Sequence, residues 1–549
     1  MNYIEARKSV SKRLNIPDKL LTYIFHKRIE YFYKEIQIPH KSGKIRKINA
    51  PNDKLKSVQK EILKWFIEFF ESEGLSTPFS HGFEKNKSII TNAKIHVNKK
   101  YVINLDLENF FNSFHFGRVR GYLSKNFNIS IEEATVITNL ICYNGVLPQG
   151  APTSPIVANM ICHYMDFKIL KIAKKYKLNY TRYADDLTFS TNDKKMESDF
   201  DNFISDIEKI VNASGFKINE KKTRIQFRTN IQKVTGLVVN EKINVSNQYY
   251  KITRAMANSL YKTGKYNIDG KYGTINQLEG RFCFIDQLNF ENNKKKGNKS
   301  VKHSVINNAN TNRREKAYQE FLFYKYFYAN DKPVILTEGK TDILYLEAAL
   351  KNMYKDFPLL IEKINNQFIF KVQFLKRSRK LGYFLGYTEG ASGLDNIFKL
   401  YFDKKLNYFA KLEKKRIIGN QKPVFLLYDN ETINERPLRK FLNTIKINES
   451  DKKIFTENNY HHIDKNLFLL TNQLIDDKQE MEIEDLFDDA TLKTEIGEKT
   501  FDRNDKSDTS KTFGKARFAK YVLKNYNNIN FENFKPMLQN ISNIIENKI

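Results

Sequence analysis

Cysteine is scarce in this chain of 549 residues, which contains three of them. Cys142, Cys162 and Cys283 are scattered, without the spacing of a metal site or the pattern of a disulfide framework. No run of about 18 apolar residues, the length that spans a membrane, is present. The first residues also lack an apolar signal core. We therefore expect a cytoplasmic protein without a membrane partner.

Acidic residues are outnumbered by basic ones. The 92 Lys and Arg against 63 Asp and Glu give a formal charge of +29 and a pI of about 9.5. Such a field attracts phosphate backbones and makes their binding salt-dependent, which favours a nucleic-acid partner. With 41% apolar residues, a chain of this length can bury several cores, so we expect more than one domain.

Two adjacent carboxylates, Asp185 and Asp186, lie between strand-like stretches at residues 179–182 and 187–190. Like charges this close repel each other unless a cation neutralises them. Asp106 ends an apolar strand-like run and supplies a third carboxylate. Two magnesium ions about 4 Å apart, held by such a trio, clamp the attacking and leaving oxygens of a phosphoryl transfer. The pattern predicts a catalytic palm sheet in which all three side chains bind metal.

Several blocks of sequence, in order, resemble those of the reverse transcriptases and specifically of their retron branch. The blocks are residues 51–59, 81–96, 147–154, 183–186, 215–223 and 234–237. One such match would mean little, but the full series is a strong signal. Two elements are associated with retron enzymes, and the resemblance assigns them to RNA binding. Their residues are Asn92, His96, Val234, Thr235 and Gly236.

The resemblance also implies nucleotide-binding residues around the palm. Phe111 is placed as a steric gate against a ribose 2′-OH, with plain core packing as the alternative. Gln149, in a Pro-Gln-Gly loop, is expected to contact the nucleotide or the template. Lys44 and Arg46 can reach triphosphate oxygens, Arg46 by a bidentate fork, although a solvated hairpin would look the same. Lys222 is a further candidate.

Local patterns divide the chain into four predicted regions. They are an N-terminal helical extension and fingers (1–100), a palm (101–240), a helical thumb and linker (241–330), and a second domain (331–549). A helix over 199–211 is expected to precede a strand at 217–219, and another helix is expected at about 313–328. The Asn- and Lys-rich stretch 291–300 predicts a solvated linker, with an RNA-contacting loop as the alternative.

The second domain has its own acidic pattern. Glu338 follows an apolar run, and Asp429 and Glu431 follow another. Runs that are apolar on both faces suit a mainly parallel sheet covered by helices. Ligands bind such sheets beyond the carboxyl ends of the strands, where these acidic groups fall. The pattern predicts a further magnesium site, although Glu338 alone would be an ordinary helix-start residue.

These residues resemble a Toprim domain of the OLD-type nucleases, and residues 389–393, 482–487 and 513–516 look like further motifs of that family. Glu431 stands where the family has Asp, a departure that keeps the charge. The resemblance implies that Glu484 binds metal and that Lys515 offsets charge developing on phosphorus. A solvated face is the alternative for the acidic run around Glu484.

The fold class predicted overall is an α+β right-hand polymerase followed by an α/β Toprim domain. The resemblance implies a retron enzyme that binds its own noncoding RNA, uses dNTPs, primes from a guanosine 2′-OH and retains the branched RNA-linked DNA (msDNA), with the Toprim nuclease as an effector of antiphage defence. One alternative is a reverse transcriptase of another lineage, such as a group II intron type. Another is a C-terminal half that binds RNA or assembles without catalysis. A homo-oligomer is also left open.

Overall fold

The structure is a computed structural model that describes residues 2–39, 45–295, 311–404, 406–433, 435–503 and 511–547. It divides into two units, an N-terminal unit of Met1–Asn247 and a C-terminal unit of Gln248–Ile549. Lys44 and residues 296–300 of the predicted linker lie outside the described residues. Among the helices that are described, none is long and apolar enough to cross a membrane.

In its described residues, the N-terminal unit has eight α-helices and eight strands. The helices are α1 Tyr3–Arg13, α2 Asp18–Lys27, α3 Asp53–Ser72, α4 Ile89–Ile95, α5 Phe116–Asn126, α6 Ile131–Ile141, α7 Ser154–Lys175 and α8 Met196–Ala213. The strands are β1 Tyr33–Pro39, β2 Ile45–Pro51, β3 Tyr101–Asp106, β4 Asn179–Tyr183, β5 Asp186–Thr191, β6 Arg224–Phe227, β7 Lys233–Val234 and β8 Leu237–Val238.

The predicted palm is a four-stranded sheet in the order β4-β5-β3-β6, with all neighbours antiparallel. Its central strand β3 is buried along nearly its whole length. This burial explains why the sequence there is apolar on both faces. Helix α8 packs by one face, where Phe203, Ile207 and Val211 are fully buried. That is the face that the helical periodicity of residues 199–211 predicts.

The prediction of a strand at residues 217–219 is wrong. The only pairing there is an isolated bridge between Ile218 and Leu107, and the fourth strand of the sheet is β6. A short 3₁₀ helix at Glu220–Lys222 separates the two. The segment is held by backbone contacts instead, because the amide of Asn219 donates to the carbonyl of Asp106 at 2.8 Å.

The C-terminal unit continues the numbering. Its helices are α9 Asn247–Thr263, α10 Ile275–Lys295, α11 Arg313–Phe323, α12 Asp342–Asn352, α13 Arg379–Leu385, α14 Ala391–Phe402, α15 Tyr408–Lys414, α16 Pro437–Ile445, α17 Glu449–Asn458, α18 Asp489–Leu492, α19 Lys515–Lys524 and α20 Lys535–Asn547. Its strands are β9 Asn267–Ile268, β10 Lys271–Tyr272, β11 Val334–Thr337, β12 Ile361–Ile364, β13 Gln367–Phe370, β14 Gln373–Phe374, β15 Val424–Tyr428, β16 Tyr460–Asp464, β17 Leu467–Thr471, β18 Thr500–Phe501 and β19 Thr512–Phe513.

The main sheet of this unit has five strands in the order β14-β11-β15-β17-β16. Strands β14, β11, β15 and β17 are parallel, and only β16 at the edge is antiparallel. Strands β11, β15 and β17 are buried at every position. Their apolar runs are therefore explained by a sheet that is covered on both faces.

Helices α9, α10 and α11, which fall in the predicted thumb and linker, share a hydrophobic core with this sheet. Leu260, Phe282 and Phe321 lie in the same buried cluster as Leu336 and Leu426. Helix α11 is extended by a π-helical segment, Tyr324–Tyr328, so together the two cover the helix predicted at 313–328. The C-terminal unit thus begins well before the predicted boundary at residue 331.

Candidate active sites

The three palm carboxylates, Asp106, Asp185 and Asp186, lie together at one end of the palm sheet. The pairing of β3 with β5 sets Asp106 directly opposite Asp186. Asp185 occupies the turn between β4 and β5, and its carbonyl accepts a hydrogen bond from the amide of Leu107 at 3.0 Å. Ala184, which precedes it, has a φ of 56°, a left-handed conformation suited to a tight hairpin turn. Strand register therefore gathers carboxylates that are far apart in the chain.

A lysine neutralises the palm carboxylates from one side. The ammonium of Lys222 donates to both carboxylate oxygens of Asp106 at 2.9 Å, and Asn219 donates to one of them at 3.3 Å. The hydrogen bond to Asp106 raises the pKa of Lys222. The lysine side chain is 62% exposed, so it can leave this position without breaking a packed core. Lys222, which is predicted to bind the nucleotide, therefore also contacts Asp106, a predicted catalytic residue.

The remaining two palm carboxylates have raised pKa values. Burial, followed by repulsion from Asp185 and Asp106, raises the pKa of Asp186 to about 6. Burial is also the main cause of the raised pKa of Asp185. These are the shifts expected of carboxylates that crowd one site in the absence of a cation.

The chemistry of the palm fits magnesium. As placed, no group of three or more His, Cys, Asp or Glu side chains in the described part of the chain is arranged to hold a metal ion. Carboxylate oxygens are nevertheless the hard ligands that Mg²⁺ prefers. The Lys222 ammonium lies against both oxygens of Asp106, as a bound cation would. Metal binding at this trio would replace the ammonium with a divalent ion.

A cleft of about 290 Å³ opens beside the palm carboxylates. Its lining residues are Asn104, Leu105, Asp106, Asp186, Lys221, Lys222, Thr223, Arg224, Thr235 and Gly236. Two lysines and one arginine face two carboxylates there, so the cleft presents positive charge next to the candidate metal ligands. Such a surface suits a phosphate-bearing substrate.

The predicted nucleotide-binding residues lie in several elements of the N-terminal unit. The carbonyl of Gln149 accepts from the amide of Asn49 at 2.9 Å, which ties the Pro-Gln-Gly loop to β2. Arg46 is exposed on the same strand, and its charge lowers the pKa of Asp185 against the larger effect of burial. Phe111 is half-buried in a 3₁₀ helix beyond β3, with its ring 6.3 Å from that of Phe83. It is therefore not a fully buried core residue.

The two elements assigned to RNA binding contact each other. Asn92 is fully buried, and its amide donates to the hydroxyl of Thr235 at 3.5 Å. Val234 is fully buried as well, whereas Thr235 and Gly236 line the cleft. Asn92 therefore has no exposed surface with which to contact RNA in this conformation, and only the second element borders the cleft.

His96 lies inside the N-terminal unit, against the palm sheet. Its Nδ1 is 2.7 Å from the hydroxyl of Ser190 on β5, and its Nε2 is 2.7 Å from that of Thr181 on β4. Burial lowers the pKa of His96 to about 3, so the ring is neutral. The ring has no exposed surface and joins the two strands that carry Asp185 and Asp186. In this structure it supports the sheet.

A buried ion pair behind the catalytic turn was missed by sequence reasoning. Arg182 and Asp166 are 0% and 1% exposed and form a bidentate pair, with two N–O distances of 2.8 Å. Arg182 also donates to the carbonyl of Ala184 at 3.2 Å and to the amide oxygen of Asn159 at 3.2 Å. An arginine directly before the Tyr-Ala-Asp-Asp sequence, in a buried strand, was the available signal, because a buried charge requires a partner.

The C-terminal unit gathers a second set of acids, the acidic cluster, at the carboxyl ends of β11 and β15. Its members are Glu338, Asp342, Asp429, Glu431, Glu482 and Glu484. Burial, then repulsion from Asp342 and Glu431, raises the pKa of Glu338 to about 7. The pKa of Asp429 is raised well above its usual range by burial and by its acidic neighbours. Burial and the mutual repulsion of these carboxylates thus both act at this cluster, as they do at the palm.

Backbone contacts hold the cluster in place. Asn430 pairs with Met481 through two hydrogen bonds of 2.9 Å, which joins the loop after β15 to the loop that carries Glu482 and Glu484. The amide of Ile483 donates to the carboxylate of Asp429 at 3.0 Å. Two distant segments of sequence are thereby fixed side by side.

A glycine turn holds the loop of Glu338. The amide of Gly390 donates to the Glu338 carbonyl at 3.2 Å, and the Glu338 carboxylate accepts from the amide of Ala391. Gly390 has a φ of 78°, which disfavours other residues there. The guanidinium of Arg377 donates to the same carbonyl at 2.8 Å. Residues 389–393, singled out in the sequence, thus contact the first acidic residue directly.

Lys515 is the first residue of α19 and reaches into the cluster. Its ammonium is 3.0 Å from Glu482 and 3.2 Å from Glu484. Glu484 is 1% exposed and also accepts from the hydroxyl of Tyr345 at 3.3 Å. Glu484 is therefore buried at the site and is not part of a solvated face.

Asp342 and Glu482 were not predicted as site residues. Asp342 is 6% exposed at the start of α12 and accepts from the amide of Gly339 at 2.7 Å. Burial raises its pKa, and Lys515 opposes this effect. Its position four residues after Glu338, at the start of the helix that follows, was the signal that could have found it. Glu431 lies at the margin, where Arg436 is 3.5 Å away.

Comparison with known proteins shows the family of the part of the chain that holds the first of the two sites. Residues 38–244 match the family model described as reverse transcriptase (RNA-dependent DNA polymerase). This range holds all three palm carboxylates, so fold and site define a reverse transcriptase.

Individual relatives show which kind of reverse transcriptase this chain is similar to. The retron Ec86 reverse transcriptase of Escherichia coli is 36% identical over 269 residues, which cover 49% of this chain and 78% of that protein. The retron Mx162 reverse transcriptase of Myxococcus xanthus is 30% identical over 315 residues, 51% of this chain and 64% of that protein, which is just under two thirds. A solved structure of apo telomerase from Candida tropicalis aligns over 53% of this chain and 60% of that chain, with 13% identity and a TM-score of 0.31. The chain belongs to the retron reverse transcriptases.

Proposed function

We propose that this retron reverse transcriptase copies its own noncoding RNA into a branched msDNA, primed from a guanosine 2′-OH. The observation that carries the proposal is the meeting of Asp106, Asp185 and Asp186 at one end of the palm sheet, in a chain related to retron enzymes. The basic cleft beside them suits an RNA–DNA substrate. The family relationship also counts against a group II intron type of enzyme.

Each palm residue has a part in this chemistry. Asp106, Asp185 and Asp186 would hold magnesium, which when bound would supply activation of the attacking hydroxyl and stabilisation of the leaving oxygen. Lys222, which lines the cleft, would be released from Asp106 and bind phosphate oxygens. Arg46 and Lys44 would bind the triphosphate from the fingers, and Gln149 the nucleotide or template. Phe111 would exclude a ribose 2′-OH and so select dNTPs.

The test is to express the chain together with its native RNA locus and to extract the bound nucleic acid. A discrete DNA band that shortens after RNase or debranching treatment is the expected result. Asp185→Ala should abolish this band while the protein remains folded. Heterogeneous RNA without DNA, or a branched product made by the variant, would contradict the proposal.

We further propose that the C-terminal unit carries a magnesium-dependent Toprim nuclease. The observation that favours it is the acidic cluster at the ends of parallel strands, with Lys515 bonded to Glu482 and Glu484. The six carboxylates are hard oxygen donors that fit Mg²⁺, which would be bound by Glu338, Asp429, Glu431 and Glu484. Lys515 would offset charge developing on the phosphate.

This second activity is tested separately from the first. Purified protein should cut nucleic acid only with a divalent metal, and Asp429→Asn should remove cutting while leaving DNA synthesis intact. An absence of cutting with every divalent metal would favour a non-catalytic module that binds RNA or assembles, and cutting that survives the substitution would contradict the role of Asp429. In the cell, we propose that the msDNA-bound complex restrains this nuclease until phage infection disturbs it.

A further inference from the structure

A single helix, α7, contacts both sides of the polymerase site. At its start, the hydroxyl of Ser154 donates to the carbonyl of Pro148 at 2.8 Å, which fixes the Pro-Gln-Gly loop. Further along, the amide of Asn159 donates to the carbonyl of Gly82 at 2.8 Å. Asp166, later on the helix, forms the bidentate pair with Arg182. These three side chains are 3% exposed or less, so the contacts are part of the interior.

The catalytic turn is held from the interior by Arg182. Its guanidinium bonds Asp166 and Asn159 on α7 and donates to the carbonyl of Ala184 in the turn at 3.2 Å. The next residue in the chain is Asp185. A shift of Arg182 would therefore be passed through one peptide unit to a palm carboxylate.

The same turn is confined from its other side by Gly82. A Cβ atom at Gly82 would lie 2.6 Å from the backbone nitrogen of Ala184, closer than real Cβ contacts allow. The amide of the neighbouring His81 donates to the carbonyl of Arg182 at 2.8 Å. Asn159, which bonds both the Gly82 carbonyl and Arg182, joins the two sides.

We propose that Asn159, Gly82 and the Asp166–Arg182 pair are positioning residues that set the metal-binding geometry of Asp185 and Asp186, and that Ser154 does the same for the nucleotide loop. Helix α7 then keeps the metal site and the nucleotide at a fixed spacing. Mg²⁺ demands near-ideal octahedral ligands at about 2.0–2.1 Å, so it tolerates little displacement of a carboxylate. Groups that orient a ligand typically change metal affinity about 10- to 100-fold when removed.

The proposal is tested in the full-length chain by two substitutions that disturb the turn from opposite sides. Asn159→Ala removes the contact to Arg182, and Gly82→Ala pushes directly on Ala184. Mn²⁺ affinity is measured by electron paramagnetic resonance in an Asp429→Asn background, which weakens metal binding at the acidic cluster. The half-saturating Mg²⁺ concentration for DNA synthesis gives a second readout. Each substitution is expected to weaken Mn²⁺ binding about 10-fold or more, and excess Mg²⁺ is expected to restore DNA synthesis.

Asn466→Ala is a matched control. Asn466 is 6% exposed, donates to the carbonyls of Phe327 and Lys422 at 2.9 and 2.8 Å, and accepts from Tyr401 at 3.3 Å. Its replacement should lower thermal stability without altering Mn²⁺ affinity or Mg²⁺ dependence. If Asn159→Ala lowers stability alone and leaves both metal readouts unchanged, as this control does, the positioning role is refuted.

Ser154→Ala tests the start of helix α7 independently of the contacts further along the helix. It should raise KM for dNTP while leaving Mn²⁺ affinity as in the parent chain. An unchanged KM would remove the nucleotide loop from the proposal. Gly82→Ala keeps the test decisive if Asn159→Ala fails to fold, because its side chain is small and its clash is confined to the turn.

Discussion

The palm and the acidic cluster both place carboxylates at strand ends, but they do so by different means. In the palm, neighbouring antiparallel strands present the acids, and Asp106 faces Asp186 by register alone. In the C-terminal unit, the acids come from loops that follow parallel strands and from a segment joined to them by the Asn430–Met481 bridge. The palm is therefore specified largely by strand register, and the cluster by packing between loops.

The difference extends to how the charge is balanced. Lys222, at the palm, is 62% exposed and bonds one carboxylate, whereas Lys515 is 32% exposed and bonds two. Its partner Glu484 is almost fully buried. A buried acid without a partner is costly, while an exposed pair contributes little. Equivalent substitutions in the two sites should thus have unequal effects on stability.

The largest effect is expected from cutting the chain at the predicted domain boundary. Removing residues 331–549 would expose Tyr318, Phe321, Leu322 and Phe323, each at most 3% exposed in the intact chain. At about 1.5–3 kcal/mol for each side chain, the loss is on the order of the whole stability of a domain. We expect aggregation of the 1–330 fragment, measured by size-exclusion chromatography. A monomeric, cooperatively folded fragment would show that the helices do not depend on the sheet.

Lys515→Met should be the most damaging single change at either site. It leaves Glu484 buried without its cation, and we expect a loss of about 2 kcal/mol in the free energy of unfolding, less than for a fully buried pair because the lysine is partly exposed. Chemical denaturation measures it. Glu482→Gln in the same background should restore part of the loss by removing one repelling charge. Unaltered stability would mean that Glu484 is neutral in the folded chain.

The pH dependence of stability should distinguish the sites in the absence of metal. Glu338 has a folded pKa of about 7 against a usual value of 4.5, so the folded state binds more protons between these values. Stability should therefore fall as pH rises from 4.5 to about 7. For Asp186 the same fall should lie between 3.8 and about 6. Thermal unfolding of the parent chain and of Glu338→Gln and Asp186→Asn across this pH range measures both effects. Each substitution should remove the pH dependence of stability in the range of the group that it replaces.

Asp429→Asn should stabilise the metal-free chain while it removes metal-dependent cutting. The amide oxygen can still accept from Ile483, but the repulsion from Asp342, Glu338 and Glu484 is gone. We expect a gain on the order of 1 kcal/mol in unfolding free energy, measured with a chelator present. A loss of stability would indicate that Asp429 is already neutral, or paired, in the folded state.

The smallest effect is expected from Lys222→Met. The pair with Asp106 is largely exposed on the lysine side, so its contribution to stability should be about 0–1 kcal/mol. DNA synthesis should nevertheless decline through a higher KM for dNTP, which steady-state kinetics measures. A change in stability equal to that of Lys515→Met would abolish the contrast between the two sites.

Several features followed from the sequence alone because their causes are local. Alternating and continuous apolar runs predict strands β3, β4 and β5, and the turn between the last two presents Asp185 and Asp186. The apolar runs before Glu338 and Asp429 are found as paired parallel strands. Each of these carboxylates lies at or just beyond the end of such a strand, so residue types and strand periodicity are enough to anticipate where the acids lie.

Other features required the tertiary structure because they depend on which distant segments pack together. Nothing local shows that Asp166 lies behind Arg182, that Glu482 lies near Asp429, or that Asn92 and His96 are buried. The hydrophobic core that α9, α10 and α11 share with the five-stranded sheet could likewise not be predicted from local sequence. The sequence determined the chemistry of the two sites, since residue types and strand periodicity are local. Tertiary packing decided which side chains complete and support them, since burial and charge pairing are settled only when the segments meet.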